Sequence, residues 1–383
     1  MEEAAAATGL ADFGDDGFRE PFAVLLASAG TESGLSAMGR VSCWTQLVRF
    51  LKNRLILEDF VARHPAALEQ EIRAPIFIVG LPRTGTTHLH NLISSDPALR
   101  SLPWWEAQEP VPPPAEQGAA VVPDPRIARS AAGLAMQDEV MPLFKRMHDM
   151  WPEHVHEEID LLAIGGSTMY FETLATVAPA WRDWYLRTDQ TPWYAYLARC
   201  LRVLQYLRGG ERWILKSPQH LEQFAPLLRT FPDATFVVTH RDPVSITASF
   251  ATMITYSARL SQERVDPHAI GAYWADRIER MLRACVRDRE LLPADRSLDV
   301  AFDAFMADDV AMVERIYALA EQPFEAGTRA AMDAFMAAHP RGKHGSIRYD
   351  LADFGLDAAR LRERFRFYSE RFGIAAERAP DGG

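Results

Sequence analysis

The stretch PIFIVGLPRTGTTHLHNLISS, residues 75–95, decides the fold that we predict for this chain. Its four apolar residues 76–79 are typical of a short strand buried in a parallel sheet. Glycines and hydroxyl residues then lead into an amphipathic helix with Leu89, Leu92 and Ile93 on one side. A strand that turns through glycine into a helix points backbone N–H groups and the helix N-terminus at one place. That arrangement predicts a phosphate-binding site.

The loop differs from the nucleoside-triphosphate loop G-x-x-x-x-G-K-[ST] at one decisive position. Gly80 and Gly85 have the required separation, and Thr87 stands where the Mg²⁺-binding hydroxyl would be. Thr86, however, replaces the lysine that a triphosphate needs, and the positive charge lies inside the loop as Arg83. We therefore interpret the loop as a phosphate site for a ligand other than ATP or GTP.

Composition excludes several classes of protein. The chain has 383 residues, of which 48% are apolar and 24% are charged, as in a globular protein. Its net charge of −11 disfavours nucleic acid as a partner. The three cysteines have no metal or redox spacing, and no apolar stretch reaches the length of a transmembrane helix. We expect a cytoplasmic protein, and whether it forms a homo-oligomer stays open.

Two further strands are predicted, each ending in residues that can bind anions. Residues 213–215 form a short apolar run that ends at Lys216, and the run 235–239 is followed by Arg241. Helices follow both runs, so the alternation predicts an α/β fold, with a P-loop-type central parallel sheet flanked by helices and further helical segments. Because ligands bind at the carboxyl ends of such strands, Arg241 and Ser249 predict a second phosphate site.

We predict one domain of several parts between two disordered ends. The parts are residues 1–20 (disordered), 21–373 (one α/β domain), 21–72 (helical), 75–250 (phosphate-binding sheet core), 268–372 (helical, with a basic loop at 339–349) and 374–383 (disordered tail). Aromatic residues crowd 167–208, where they form either core or the wall of an apolar acceptor pocket.

Two segments carry candidate acids and bases. Glu106 follows the loop helix within a proline-rich run, and WPEHVHEE (151–158) contains His154, His156 and Glu157. These groups suit a catalytic base, but a solvated helix start and a metal site are alternatives. The i, i+2 spacing of the two histidines suits a strand better than a helix, and the sequence shows no further clustered set of ligands, so we expect no metal.

Three motifs together resemble those of sulfotransferases that use 3′-phosphoadenosine 5′-phosphosulfate (PAPS). PRTGTT (82–87) is similar to the 5′-phosphosulfate loop of that family, and HRDPVSITAS (240–249) is similar to its 3′-phosphate motif. RGKHGSIRYDLADFGL (341–356) resembles the glycine-basic segment that closes over the 3′-phosphate in bacterial members. The resemblance extends from about residue 40 to 372 and is closest to the bacterial branch that is related to tyrosylprotein sulfotransferases.

The resemblance implies which residues bind the nucleotide and which catalyse. The implied cofactor-binding residues are Arg83, Thr84, Gly85, Thr86, Thr87, His88, Arg241, Ser249, Arg341, Gly342, Lys343 and Gly345. Arg83 would contact the sulfuryl group and Lys216 the leaving group, while His88 stands where cytosolic relatives stack an aromatic ring on adenine. Glu157 is implied as the base by the bacterial branch and ranks above Glu106, which the tyrosylprotein branch implies.

The implied reaction is an in-line transfer of a sulfuryl group from PAPS to a hydroxyl of a small, apolar or lipid-like acceptor. The product would be adenosine 3′,5′-bisphosphate (PAP), and no metal takes part. Two alternatives stay open from the residues alone. One is a nucleotide kinase or NTPase with a degenerate phosphate loop, and the other is a nucleotide-binding protein of the same fold without catalysis.

Overall fold

A parallel sheet carries the phosphate loop. The structure is a computed structural model that describes residues 1–118, 122–340, 345, 347 and 349–377. Its strands are β1 (Ile76–Val79), β2 (Ile214–Lys216), β3 (Thr235–His240) and β4 (Ser297–Ala301). They pair in the order β2-β1-β3-β4, and every pair is parallel. The predicted α/β fold with a central parallel sheet is confirmed.

Many helices flank the sheet. They are α1 (Glu2–Thr8), α2 (Arg19–Thr31), α3 (Ala37–Arg63), α4 (Thr86–Ser94), α5 (Trp104–Gln108), α6 (Pro125–Val140), α7 (Ile159–Gly165), α8 (Tyr170–Leu174), α9 (Pro179–Arg187), α10 (Thr191–Arg208), α11 (Phe224–Thr230), α12 (Pro243–Ser261), α13 (Pro267–Asp288), α14 (Phe302–Ala307), α15 (Asp309–Leu319), α16 (Ala326–Ala338) and α17 (Ala358–Phe372).

The chain folds into two compact units. The helical unit comprises Met1–Arg73, Arg100–Trp213 and Ser257–Arg264, and the sheet unit comprises Ala74–Leu99, Ile214–Tyr256 and Val265–Gly383. The assignment of residues 21–373 to a single domain stays a prediction.

In the sheet unit, the alternating side chains of β1 explain how the loop is supported. Ile76 and Ile78 belong to an apolar cluster that includes Leu89 and Leu92 of α4. Phe77 contacts aromatic rings instead, among them Phe236, whose centroid is 6.1 Å away. Because both faces of β1 are buried among apolar side chains, the strand fixes the start of the loop and α4 fixes its end.

Strand β4 differs from the sequence-based expectation, because residues 297–301 lie within the part 268–372 that the sequence predicts to be helical. It pairs with β3 at the edge of the sheet, with Val237 opposite Leu298 and His240 opposite Ala301. Along β4 only Val300 is fully buried. An edge strand with one buried residue has no continuous apolar run, which is the signal on which the other three strands were recognised.

The structure describes residues 1–20, for which the sequence predicts disorder, and places helix α1 (Glu2–Thr8) among them. In the helical unit the buried guanidinium of Arg54 in α3 donates hydrogen bonds to the carbonyls of Phe13 (2.7 Å) and Asp15 (2.8 Å). It also donates to the carbonyls of Ile164 and Gly165, at 3.2 and 3.3 Å. The buried guanidinium of Arg54 thus connects the N-terminal segment to the end of α7 through hydrogen bonds to main-chain carbonyls. Composition alone does not predict such contacts.

Most aromatic residues of 167–208 are buried in the core of the helical unit. Trp181 and Tyr185 of α9 are fully buried, as is Tyr194 of α10. Trp181 stacks on Trp184 with ring centroids 5.0 Å apart and meets Phe171 edge-on at 5.2 Å. Packing of α8, α9 and α10 therefore accounts for this stretch, and these rings do not support an apolar acceptor.

We expect Arg54→Met to lower the free energy of unfolding by about 3 kcal/mol, because carbonyls now paired with the buried guanidinium lose their donor. Urea unfolding followed by circular dichroism would measure the change. Arg73→Met is the matched control, because Arg73 forms an exposed pair with Glu71 and should leave the transition unmoved. Equal midpoints for the two variants would contradict this role of Arg54.

Candidate functional site

The loop after β1 is fastened to β3 by hydroxyl groups. Thr84 donates a hydrogen bond from Oγ1 to the carbonyl of Leu81 at 2.7 Å, and its oxygen lies 2.8 Å from Oγ1 of Thr239. Gly80 passes so close to β3 that a Cβ on it would lie 2.0 Å from Thr239 Oγ1. Glycine is therefore required at position 80 for the loop to approach the end of β3.

The backbone of the loop turns through left-handed conformations into α4. Arg83 has φ of 72° and Gly85 has φ of 82°. For an arginine this region is uncommon and strained, so the surrounding contacts must hold it there. Gly85 caps α4, and the first helical hydrogen bond runs from Leu89 N to Gly85 O at 3.0 Å. The first N–H groups of α4, from Thr86 onward, are available to an anion.

The two predicted phosphate motifs lie side by side in the sheet unit. Arg83 donates from Nε to Oγ of Ser249 at 3.0 Å, and Arg241 donates from Nη1 to the carbonyl oxygen of Arg83 at 2.7 Å. Arg241 directly follows β3, and Ser249 lies on α12. The structure thus brings Arg83 of the first motif together with Arg241 and Ser249, the two predicted phosphate-binding residues of the second motif.

The electrostatics of this pair favour an anion. Burial, together with the charge of Arg241, lowers the pKa of Arg83 from the usual value of a guanidinium. Burial also lowers the pKa of Arg241, but hydrogen bonds and charge from Glu377 outweigh it and raise that pKa. Arg83 and Arg241 are two partly buried cations that repel each other, and a negatively charged group between them relieves that repulsion.

Arg241 is held from several sides. The carboxylate of Glu377 accepts hydrogen bonds from Nε at 2.6 Å and Nη2 at 2.8 Å. The guanidinium carbon lies 4.1 Å from the ring centroid of Phe302. Asp242, the next residue, accepts from the backbone N–H of Val244 at 2.9 Å and so caps α12. These contacts fix the guanidinium plane beside the loop.

Two further predicted site residues, Lys216 and His88, also belong to the sheet unit. Lys216 is buried at the end of β2, opposite Ile78 in the register with β1. His88 on α4 lies 2.9 Å from Asp309 through Nε2, and its ring centroid is 5.5 Å from that of Phe305. Its imidazole is therefore engaged by α14 and α15.

The predicted basic loop falls largely beyond what the structure describes. Arg341, Gly342 and Lys343 lie outside the described residues, whereas Gly345 is described and has φ of 83°. The four residues 374–377 of the predicted disordered tail are described, and Glu377 among them contacts Arg241. The rest of that tail, 378–383, lies outside the described residues.

Glu106 belongs to the helical unit and lies in an ion-pair cluster. Arg100 donates to both carboxylate oxygens at 2.8 and 2.7 Å, and Arg208 donates to both at 3.1 Å. Only 1% of Glu106 is exposed, and the Arg100 guanidinium carbon lies 4.4 Å from the ring centroid of Trp213. An acceptor hydroxyl would have to displace a guanidinium to reach this carboxylate, so the contacts indicate a structural role.

The segment with Glu157 packs against the start of α5 within the same unit. Pro103 and Val155 form an antiparallel bridge, and Trp104 N donates to His154 O at 2.8 Å. Glu157 is half-buried and follows His156, whose Nε2 lies 3.0 Å from Asp160 Oδ2. The two segments predicted to carry the base are therefore neighbours in space.

Asp160 orients His156 and was missed at the sequence level. Its other oxygen accepts from Arg49 Nη2 at 2.6 Å. Burial raises the pKa of the Asp160 carboxyl, but Arg49 and His156 outweigh burial and hold that pKa below its usual range. The i, i+4 spacing of His156 and Asp160 at a helix start was the available signal. No comparable signal exists for Thr239, Phe302 or Glu377, whose partners are distant in sequence.

The part of the chain that the structure describes has neither a candidate metal site nor a helix suited to cross a membrane. It contains no group of three or more His, Cys, Asp or Glu residues that could hold a metal ion. None of its helices is long and apolar enough to cross a membrane.

Comparison with known proteins gives a consistent result. A model of the sulfotransferase family matches residues 75–326, which is more than half of the chain. The crystal structure of sulfotransferase STF1 from Mycobacterium tuberculosis H37Rv is similar at 31% identity and a TM-score of 0.83, covering 95% of this chain and 96% of that one. Sulfotransferase STF9 from Mycobacterium avium is similar at 26% identity and a TM-score of 0.85, covering 98% and 96%. Curated protein sequences give no match.

We expect Glu106→Gln to lower the free energy of unfolding by about 3 kcal/mol, because it leaves the buried Arg100 without its countercharge. Glu109→Gln is the matched control, since Glu109 pairs with Arg129 in a more exposed position and should cost less than about 1 kcal/mol. Urea unfolding of both variants gives the comparison. A Glu106→Gln protein as stable as the unsubstituted chain would remove the structural interpretation.

Proposed function

Because the chain belongs to the sulfotransferase family, we propose that it transfers a sulfuryl group from PAPS to a hydroxyl group of a small-molecule acceptor. The observation that carries the proposal is the adjacency of Arg83 and Arg241: Arg241 donates to the Arg83 carbonyl, and the side chain of Arg83 donates to Ser249. PAPS has phosphate groups at two positions of one nucleoside, and this arrangement offers two cationic groups at neighbouring places.

The residues present fit such a nucleotide. The first N–H groups of α4 and the hydroxyl groups of Thr86 and Thr87 suit the 5′-phosphate, because a helix N-terminus binds anions, while the Thr84 hydroxyl fastens the loop to β3. Arg241 and Ser249 suit the 3′-phosphate, and the planar fork of an arginine matches two phosphate oxygens. Thr86 in place of the usual lysine makes the loop unsuited to a nucleoside triphosphate with Mg²⁺.

The proposed chemistry needs cations near the leaving group. Sulfuryl transfer places new negative charge on the departing phosphate oxygen, and buried cations stabilise that charge more strongly than water does. We assign this role to Arg83, which is strained and held by Ser249, and to Lys216, which is buried at the end of β2. No metal ion is required, since these side chains supply the positive charge.

We propose Glu157 as the base that removes the proton from the acceptor hydroxyl. Its resemblance to the bacterial members supports the assignment, and so do the contacts inside the helical unit. Glu106 is bound at both oxygens by two arginines, whereas Glu157 is half-buried beside a histidine that Asp160 orients. General base catalysis typically contributes a factor of about 10² to 10⁴ in rate.

Nucleotide binding tests the first part of the proposal. We expect Arg241→Ala to weaken PAP binding about a hundredfold, because a charged hydrogen-bond donor to the 3′-phosphate is lost. Isothermal titration calorimetry would measure it, with Arg329→Ala as the control, since Arg329 forms an exposed pair with Asp333 on α16. The unsubstituted protein failing to bind PAP, or binding it as well after Arg241→Ala, would refute the proposal.

Transfer of the ³⁵S label from PAPS to an acceptor tests the assignment of Glu157 as the base. Incubation of the protein with ³⁵S-labelled PAPS and a cell extract should yield a sulfated product. We expect Glu157→Gln to lower the rate about 10² to 10⁴-fold while PAP affinity is unchanged. Glu153→Gln is the control, because Glu153 is exposed in the same segment and should transfer at the full rate. Full activity of Glu157→Gln would assign the base elsewhere.

A further inference from the structure

Three consecutive residues at the end of β3 all contact the C-terminal part of the chain. His240 lies 2.7 Å from the hydroxyl of Tyr368 through Nδ1, and its ring stacks on Phe372 with centroids 4.1 Å apart. Its other nitrogen, Nε2, lies 2.8 Å from Asp299 of β4. The end of α17 is thereby anchored directly beside Arg241.

The backbone after α17 is positioned as firmly as the helix. Gly373 adopts a left-handed conformation with φ of 65°, and Ile374 N donates to Ser369 O at 2.9 Å. Four residues after Gly373, the backbone N–H of Glu377 donates to Asp242 Oδ2 at 2.8 Å. Glycine permits the reversal of direction, and Asp242 fixes where it ends.

The side chain of Glu377 occupies hydrogen-bond donors of Arg241 that an anionic ligand would need. A guanidinium offers two edges for a bidentate anion, and Glu377 occupies the Nε/Nη2 edge. On the other edge, Nη1 already donates to the Arg83 carbonyl. One face is covered by Phe302. A phosphate group therefore cannot form a bidentate pair with Arg241 along the Nε/Nη2 edge unless Glu377 leaves.

We propose that Glu377 is an intramolecular competitor of the nucleotide 3′-phosphate, so that the C-terminal segment lowers the affinity of the site for PAPS and PAP. This inference rests on the proposed function. Like a phosphate group, the carboxylate is an anion with two oxygens that accept a bidentate pair of hydrogen bonds from a guanidinium, and the chain supplies it at a fixed position. The apparent dissociation constant then equals the intrinsic value divided by the fraction of molecules in which Arg241 is released.

The magnitude follows from the exposure of the pair. The side chains of Arg241 and Glu377 are 18% and 26% exposed, so solvent screens their attraction in part. We expect removal of the carboxylate charge to tighten PAP binding about fivefold, which corresponds to about 1 kcal/mol. A nucleotide without a 3′-phosphate has no need of Arg241, and its affinity should not change.

The experiment titrates PAP and adenosine 5′-monophosphate into the unsubstituted protein, Glu377→Gln and Glu377→Ala. We expect both variants to bind PAP about fivefold more tightly and to bind adenosine 5′-monophosphate unchanged. Glu363→Gln is the matched control, because Glu363 lies on α17 and pairs with Arg366 on an exposed surface. Thermal unfolding of each variant confirms that it is folded.

The outcomes separate this inference from the function on which it rests. If PAP binds equally to the unsubstituted protein and both Glu377 variants, the competition is refuted and the proposed function stands. Weaker PAP binding by the variants would mean that Glu377 orients Arg241 for the nucleotide, which also refutes it. Failure of every protein to bind PAP would overturn the proposed function and this inference together.

Discussion

The hydrogen bond from Arg241 to the main-chain carbonyl of Arg83 is the contact on which the rest of the site depends. It joins the end of β3 to the loop after β1, and Ser249 of α12 accepts from the side chain of the same Arg83. The loop can reach β3 only because position 80 has no Cβ. These contacts keep the positive charges of Arg83 and Arg241 close together, and the repulsion between them favours binding of an anion beside the loop.

The sequence was sufficient for the parts of the site that depend on local order along the chain. β1, the loop and α4 follow one another without interruption, and each has its own signal in apolar runs, glycines and helical spacing. Parallel strands then bring their carboxyl ends to one edge, so residues after β1 and β3 had to be close. The same reasoning placed Lys216 at the end of β2.

The sequence was insufficient where a contact joins distant residues through groups without a pattern. Arg54 binds main-chain carbonyls, and every residue has one, so its hold on the N-terminal segment could not be foreseen. β4 lies at the sheet edge with a single fully buried residue, too few for a recognisable strand. Glu377 meets Arg241 from 136 residues away, in a segment whose composition indicated only disorder.

The anchoring of α17 on His240 also bears on how the protein should be prepared. An affinity tag fused on the C-terminal side of Glu377 would be joined to the segment that contacts Arg241. A polyhistidine or acidic tag would bring additional charge near a pair of cations whose behaviour depends on the local electrostatic field. The tag would then itself become a variable in any measurement of anion affinity, so affinities are best compared after the tag has been removed.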